Sequence, residues 1–261
     1  MDLNQIKNRL NSLQAKNTGG GSGEKKNIFW KPSIGKQTIR VVPSKFNREN
    51  PFSELFFHYG IGNKTMISPT NWGEKDPIVE FAKQLRKTSD KENWKMAKKL
   101  DPKMRVFVPV IVRGEEDQGV KFWSFGKELY MDFLNLADNE DVGDFTDIVN
   151  GRDIIVTTVG PETTGTSYNK SSIMPRTKET PLVEDKTLLK RLLEEQVNPM
   201  DAFKKYTFDE MKEILQNWLA PESEEGSEEE SEDNVGTTTP NVALKTQKVS
   251  QSEKFDALFE D

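Results

Sequence analysis

The chain contains no cysteine and a single histidine, His58. Disulfides, thiolate metal sites and cysteine nucleophiles are therefore excluded. No serine sits in a G-x-S-x-G elbow, so no hydrolase triad is visible. Neither a G-x-x-x-x-G-K-[ST] phosphate loop nor a G-x-G-x-x-G fingerprint occurs. Carboxylates are plentiful, but none form a spaced pair in an apolar setting. Together these absences favour a binding protein over an enzyme. Long apolar runs are missing too: nothing approaches the ~18 residues of a membrane span, and no signal-peptide pattern opens the sequence. A cytoplasmic protein is expected. Hydrophobic residues make up only 34% against 31% charged. That is too few for 261 residues folded end to end, so part of the chain is expected to be disordered.

The net charge of −6 conceals an uneven distribution. Residues 1–130 carry 24 Lys/Arg against 14 Asp/Glu, whereas residues 131–261 carry 13 against 29. Residues 220–261 alone hold 12 acidic and 3 basic side chains. A basic front half joined to an acidic end suggests a polyanion site and a tail that can compete for it.

The stretch that organises the chain runs from Met104 to Lys127, where two strand-like runs flank the acidic turn G-E-E-D-Q-G. It predicts a β-hairpin. Alternation in the second run sets Lys121 and Trp123 on one face, with Arg105, Arg113 and Lys127 nearby. A cation beside a flat ring on an open sheet suits phosphates and unstacked bases of a single strand. A hairpin whose aromatics merely complete a core also accounts for this stretch taken alone.

Elsewhere, residues 2–16 place Leu3, Ile6, Leu10 and Leu13 on one helical stripe among basic residues, followed by the glycine-rich run Thr18–Gly23. We read 1–18 as a basic amphipathic arm able to pack on a neighbouring copy, and 19–27 as a linker. The folded core is expected over 28–219. Strands are predicted at Gln37–Pro43, Phe52–Tyr59 and Thr65–Ile67, with Arg40 opposite Ile39 and Val41. Asp76-Pro77 starts a helix that buries Ile78, Phe81, Ala82 and Leu85. Ser89–Glu92 reads as a capping box for a second helix, which carries Trp94, Lys98 and Lys99. Another helix follows Gly126, then a strand to Gly160, then a polar loop or strand with Tyr168, Lys170 and Arg176. Asp185 caps a helix over Lys186–Val197, and Thr207-x-x-Glu210 caps one ending near Leu219. Strands first, with helices inserted and appended, give an α+β class. From residue 220 the composition becomes that of a disordered acidic tail. It ends in S-E-K-F-D-A-L-F-E-D, where Phe255, Leu258 and Phe259 form one helical face, a candidate partner-docking peptide.

Several of these pieces, in order, resemble the single-stranded DNA-binding, helix-destabilising proteins of T-even-type tailed phages. They are F-W-K-P followed by Q-T-I-R-V-V-P-S-K, the F-H-Y-G strand end, the F-W-S-F-G-K stretch and the acidic tail. The resemblance implies an OB-fold-based β-barrel core with helical insertions. It implies a coat on replication, recombination and repair intermediates, with the arm driving cooperativity and the tail recruiting replication proteins in the infected bacterial cell. By the same resemblance Trp123 and Tyr168 fall at DNA-stacking tyrosines, Trp72 and Trp94 near further ones, and Lys98 and Lys99 in a basic run. Arg40, Lys98, Lys99, Arg105, Arg113, Lys121, Lys127 and Lys170 are the expected phosphate contacts. The family pattern also implies zinc held by one His and three Cys after the second strand. Only His58 remains here, so no zinc and no other cofactor are expected. Two other readings of the residues stay open: a single-strand RNA-binding regulator, and a replisome scaffold acting by protein docking alone.

Overall fold

The computed structural model describes residues 28–220. The predicted arm, linker, acidic tail and docking tip, with Phe255, Leu258 and Phe259, lie outside the described residues. What is described is a mixed α+β unit. One eight-stranded sheet, with six α-helices around it, comprises β1 (Phe29–Trp30), β2 (Gly35–Val41), β3 (Ser53–Ile61), β4 (Lys64–Ile67), β5 (Lys103–Val112), β6 (Lys121–Phe125), β7 (Arg152–Val159) and β8 (Lys170–Glu179). The helices are α1 (Pro77–Lys87), α2 (Lys91–Leu100), α3 (Lys127–Ala137), α4 (Pro161–Thr164), α5 (Lys186–Glu194) and α6 (Phe208–Leu219).

β5 is the pivot. Its length and its run of β-branched and aromatic residues let it pair with β6 along one edge. Along the other edge it pairs first with β3 and then with β2. Pro109 sits at the changeover. Its carbonyl accepts from the Val42 amide (2.9 Å), and its missing N–H falls on that edge between the last β3 pair and the first β2 pair. This is one of the few places where a central strand tolerates proline.

Helix starts follow local chemistry. The Asp76 carboxylate accepts from the Ile78 and Val79 amides, with Pro77 at the first helical position. Thr207 and Glu210 close a reciprocal capping box on α6. α2 is capped one residue later than the sequence suggests, because the Asp90 carboxylate rather than Ser89 reaches the Glu92 amide. α5 stops at Glu194, short of the expected Val197, because the Gln196 side chain is held by the Pro43 carbonyl and the Lys45 amide.

The main correction concerns β6 and β2. Trp123 packs among Trp30, Phe125 and Phe133 beneath α3, while Phe122 on the other face joins Leu55, Phe57 and Phe107. β6 is thus covered on both faces. In β2 three successive residues, Ile39, Arg40 and Val41, are fully buried. The second face of β2 is closed by Leu182 and α5, which pack on Val42 and Ile111.

Candidate nucleic-acid interface

Covered and open cations separate cleanly. Arg40 lies in the interior, where it binds Asp153 (3.1 Å), the Asp147 carbonyl (3.3 Å) and the Thr180 carbonyl. Burial lowers its pKa, and Asp153 opposes that shift. Arg113 donates to the same Asp153 carboxylate (2.6 Å) and to the Leu182 carbonyl (2.7 Å). Both guanidiniums, expected at phosphates, instead tie β2, β5 and β7 to the loops at 147 and 180–182. Lys121 is half-buried and engaged by Glu115 (3.3 Å) and Gln118 (2.5 Å) in its own hairpin turn. Trp123, 2% exposed, has no face left for a base. These four are removed from the expected contact set, because a second layer or a local carboxylate already occupies them.

None of the remaining predicted contacts is buried. In the β3–β5–β6 register, Leu55 faces Arg105, Phe57 faces Lys103, and Phe107 faces Ser124. All six therefore share one side of the sheet. Loop residues Met200 and Phe203 cover the middle of that side, over Leu55, Phe57 and Phe107. The cover gives out toward the end of β3, where Tyr59 emerges 38% exposed, its ring 6.2 Å from that of Phe57. Burial raises the Tyr59 phenol pKa, and the charge of nearby Arg105 opposes the rise. Arg105 also reaches across to Ser124 (3.5 Å). Ser124 leads through Gly126 into Lys127 and Glu128 of α3, and Glu128 pairs with Lys170 at the start of β8 (3.3 Å). Tyr168, two residues earlier, is 58% exposed.

At the other end Lys103 follows α2, whose exposed Trp94 carries Lys98 over its ring at 5.8 Å. Lys99 is exposed on the same turn. Among the described residues, Lys98, Lys99, Lys103 and Lys127 have no carboxylate within ion-pair distance. Trp72 is half-buried beside the Phe57 cluster with Lys205 4.9 Å from its ring, so one face is already taken by a cation.

Sequence reasoning passed over Tyr59 and Lys103. The signal was present: Leu55, Phe57 and Tyr59 alternate onto one face, and a strand that ends in a glycine-rich turn exposes its last ring.

A hydrogen-bonded ring lies behind this surface. His58 places Nδ1 2.9 Å from the Leu100 carbonyl and Nε2 2.9 Å from Asp76 Oδ2, which also accepts from Ser68 Oγ (2.5 Å). His58 and Asp76 side chains are both fully buried. A carbonyl can only accept, so Nδ1 donates; a carboxylate already serving a hydroxyl and two amides likewise accepts from Nε2. Burial pushes the Asp76 carboxyl up, but its hydrogen bonds to His58, Ser68 and the Val79 amide together hold it below the usual range. Zinc binds an imidazole lone pair, and both ring nitrogens are already engaged with protein acceptors. With no cysteine in the chain, the donor set does not fit the implied metal.

An open sheet end with rings and uncompensated cations, adjoining a basic helix, defines a protein built to hold a flexible polyanion. Residues 34–221 match the family model described as gp32 DNA binding protein like, and the chain belongs to that family. No curated protein matches it. Among the described residues no helix is long and apolar enough to cross a membrane.

Proposed function

We propose that the chain is a non-enzymatic protein that binds single-stranded DNA with little regard to sequence. The strand would run from α2 across the start of β5 to the beginning of α3 and β8. Lys98, Lys99, Lys103, Arg105 and Lys127 would meet phosphates, and Lys170 would exchange its solvent-exposed partner Glu128 for one; Trp94, Tyr59 and Tyr168 would stack bases, with Trp72 at the margin. The observation that carries this reading is Arg105, set between the emerging Tyr59 ring and Ser124 on the one side of the sheet that loses its cover. The β-strands would be read as an elaborated OB-fold core. Residues 1–18 would link neighbouring copies along the strand. Residues 220–261 would compete with DNA and recruit replication and recombination proteins, the role of a coat on phage replication, recombination and repair intermediates.

Titration of the intrinsic tryptophan fluorescence with oligo-dT tests the reading. Quenching is expected, and substituting Trp94 should remove much of it, because Trp94 is open whereas Trp30 and Trp123 are buried. Absence of both quenching and binding would end the proposal. Full competition by poly-U at equal affinity would move it to single strands of either sugar. Deleting residues 221–261 should tighten binding, since a net −9 of competing charge is removed with residues 220–261.

A further inference from the structure

The buried ring around His58 ties together four separate pieces of chain: β3 through His58, the segment after β4 through Ser68, the first turn of α1 through Asp76, and the end of α2 through Leu100. Two of them, β3 and α2, carry residues of the open surface. Tyr59 is the next residue after His58, and Lys103 lies three after Leu100. Trp94, Lys98 and Lys99 ride on the helix whose last carbonyl His58 holds. α1 and α2 also share an apolar cluster with α6, including Ile78, Phe81, Leu100 and Leu215, so they are packed as well as pinned.

We propose that His58 is a positioning residue, and that it sets α2 against β3 through Asp76, Ser68 and Leu100 without any metal ion. Both ring nitrogens are engaged at 2.9 Å by protein oxygens, the Leu100 carbonyl and Asp76 Oδ2, and no thiolate is present to complete a zinc site. Asp76 does two jobs at once: Oδ1 caps α1 and Oδ2 receives the ring. The arrangement of helices that a metal would organise is held here by a proton-bearing ring between a carboxylate and a carbonyl. The effect on DNA rests on the single-strand reading above; the metal independence does not.

The test uses the full chain labelled with 15N-histidine, in which one ring gives the whole signal. Two slowly exchanging ring N–H signals are expected, unchanged by EDTA or by added zinc chloride, with the same Tm in all three conditions. His58→Ala should lower Tm by about 10 °C, as removing a buried hydrogen-bonded side chain and leaving Asp76 without its partner does. If that variant does not fold, Ser68→Ala, which keeps the ring and removes one donor to Asp76, should lower Tm by about 4 °C. Measured well below its Tm, either variant should weaken oligo-dT binding by about tenfold, because the rings and cations of α2 lose their register with β3. A Tm that falls in EDTA and returns with zinc overturns the proposal, as does loss of a ring N–H signal to zinc. An unchanged Tm in both variants overturns it equally. If the unaltered chain failed to bind oligo-dT, the single-strand reading would fall, and Tm and the ring signals would still decide this one.

Discussion

Two positive regions share one sheet and sit in opposite surroundings. At one end Arg40 and Arg113 converge on Asp153 beneath a layer formed by α5 and the 180–183 segment. At the other end exposed Lys103 and half-buried Arg105 share a side of β5, and the charge of Arg105 reaches Tyr59. Charge and strand position are alike in the two places. What differs is whether the chain lays a second layer over that side of the sheet. A buried guanidinium must be satisfied by protein and becomes part of the stability; an open one keeps its charge for a partner.

The strongest way to break this contrast is from the inside. Asp153→Asn should leave the buried Arg40 and the partly buried Arg113 short of their carboxylate and cost about 3–5 kcal/mol. Trp123→Ala should cost a similar 3–5 kcal/mol by opening a cavity among Trp30, Phe125 and Phe133. Denaturant melts would show both, while the molecules still folded should bind oligo-dT as before. A binding defect in folded Trp123→Ala would return that ring to the interface.

From the outside, Tyr168→Ala should do the reverse. Its ring is exposed, so stability should stay within about 0.5 kcal/mol. Affinity for oligo-dT should fall by ~1–3 kcal/mol, the worth of one stacked base. Tyr59→Ala should follow it in binding with a somewhat larger stability loss, since part of that ring packs on Phe57.

These outcomes bear on what could be read from the residues alone. The element order was legible, because capping pairs such as Asp76-Pro77 and Thr207/Glu210 act within a few residues. The hairpin was legible for the same reason. The faces were not. Alternation at Ile39-Arg40-Val41 and at Lys121-Phe122-Trp123 tells which side chains share a side, but not whether a helix, near or far along the chain, will fold back to cover it. α5 does so for Arg40, and α3 does so for Trp123. Exposure is decided by tertiary packing, so Arg40, Arg113 and Trp123 were misplaced, whereas Trp94 and Tyr168, on a short helix and in a turn, stayed at the surface.

Acid separates the two regions further. The Asp76 pKa lies below its ordinary 3.8, so the stability it supplies is complete above that value. That stability is lost as the pH falls through the lower folded-state pKa. Melts between pH 5 and about 2 should show an acid limb that Asp76→Asn flattens.

The finest discrimination comes from salt. Paired cations release no counterions when DNA arrives, whereas open ones do. Replacing Lys98 and Lys99 together with alanine should therefore lower the slope of log K against log salt by ~1.4, at ~0.7 for each phosphate released from a single strand. Lys121→Ala should leave the slope where it was, because Glu115 and Gln118 already engage that ammonium. The loss of affinity in the double variant should be largest in dilute salt and fade as salt rises, unlike the stacking loss of Tyr168→Ala, which should persist. Equal slopes in the double variant and the unaltered chain would place the strand elsewhere than along α2. The interface would then begin at Lys103 and Arg105, with Trp94 and its lysine only an exposed helical face.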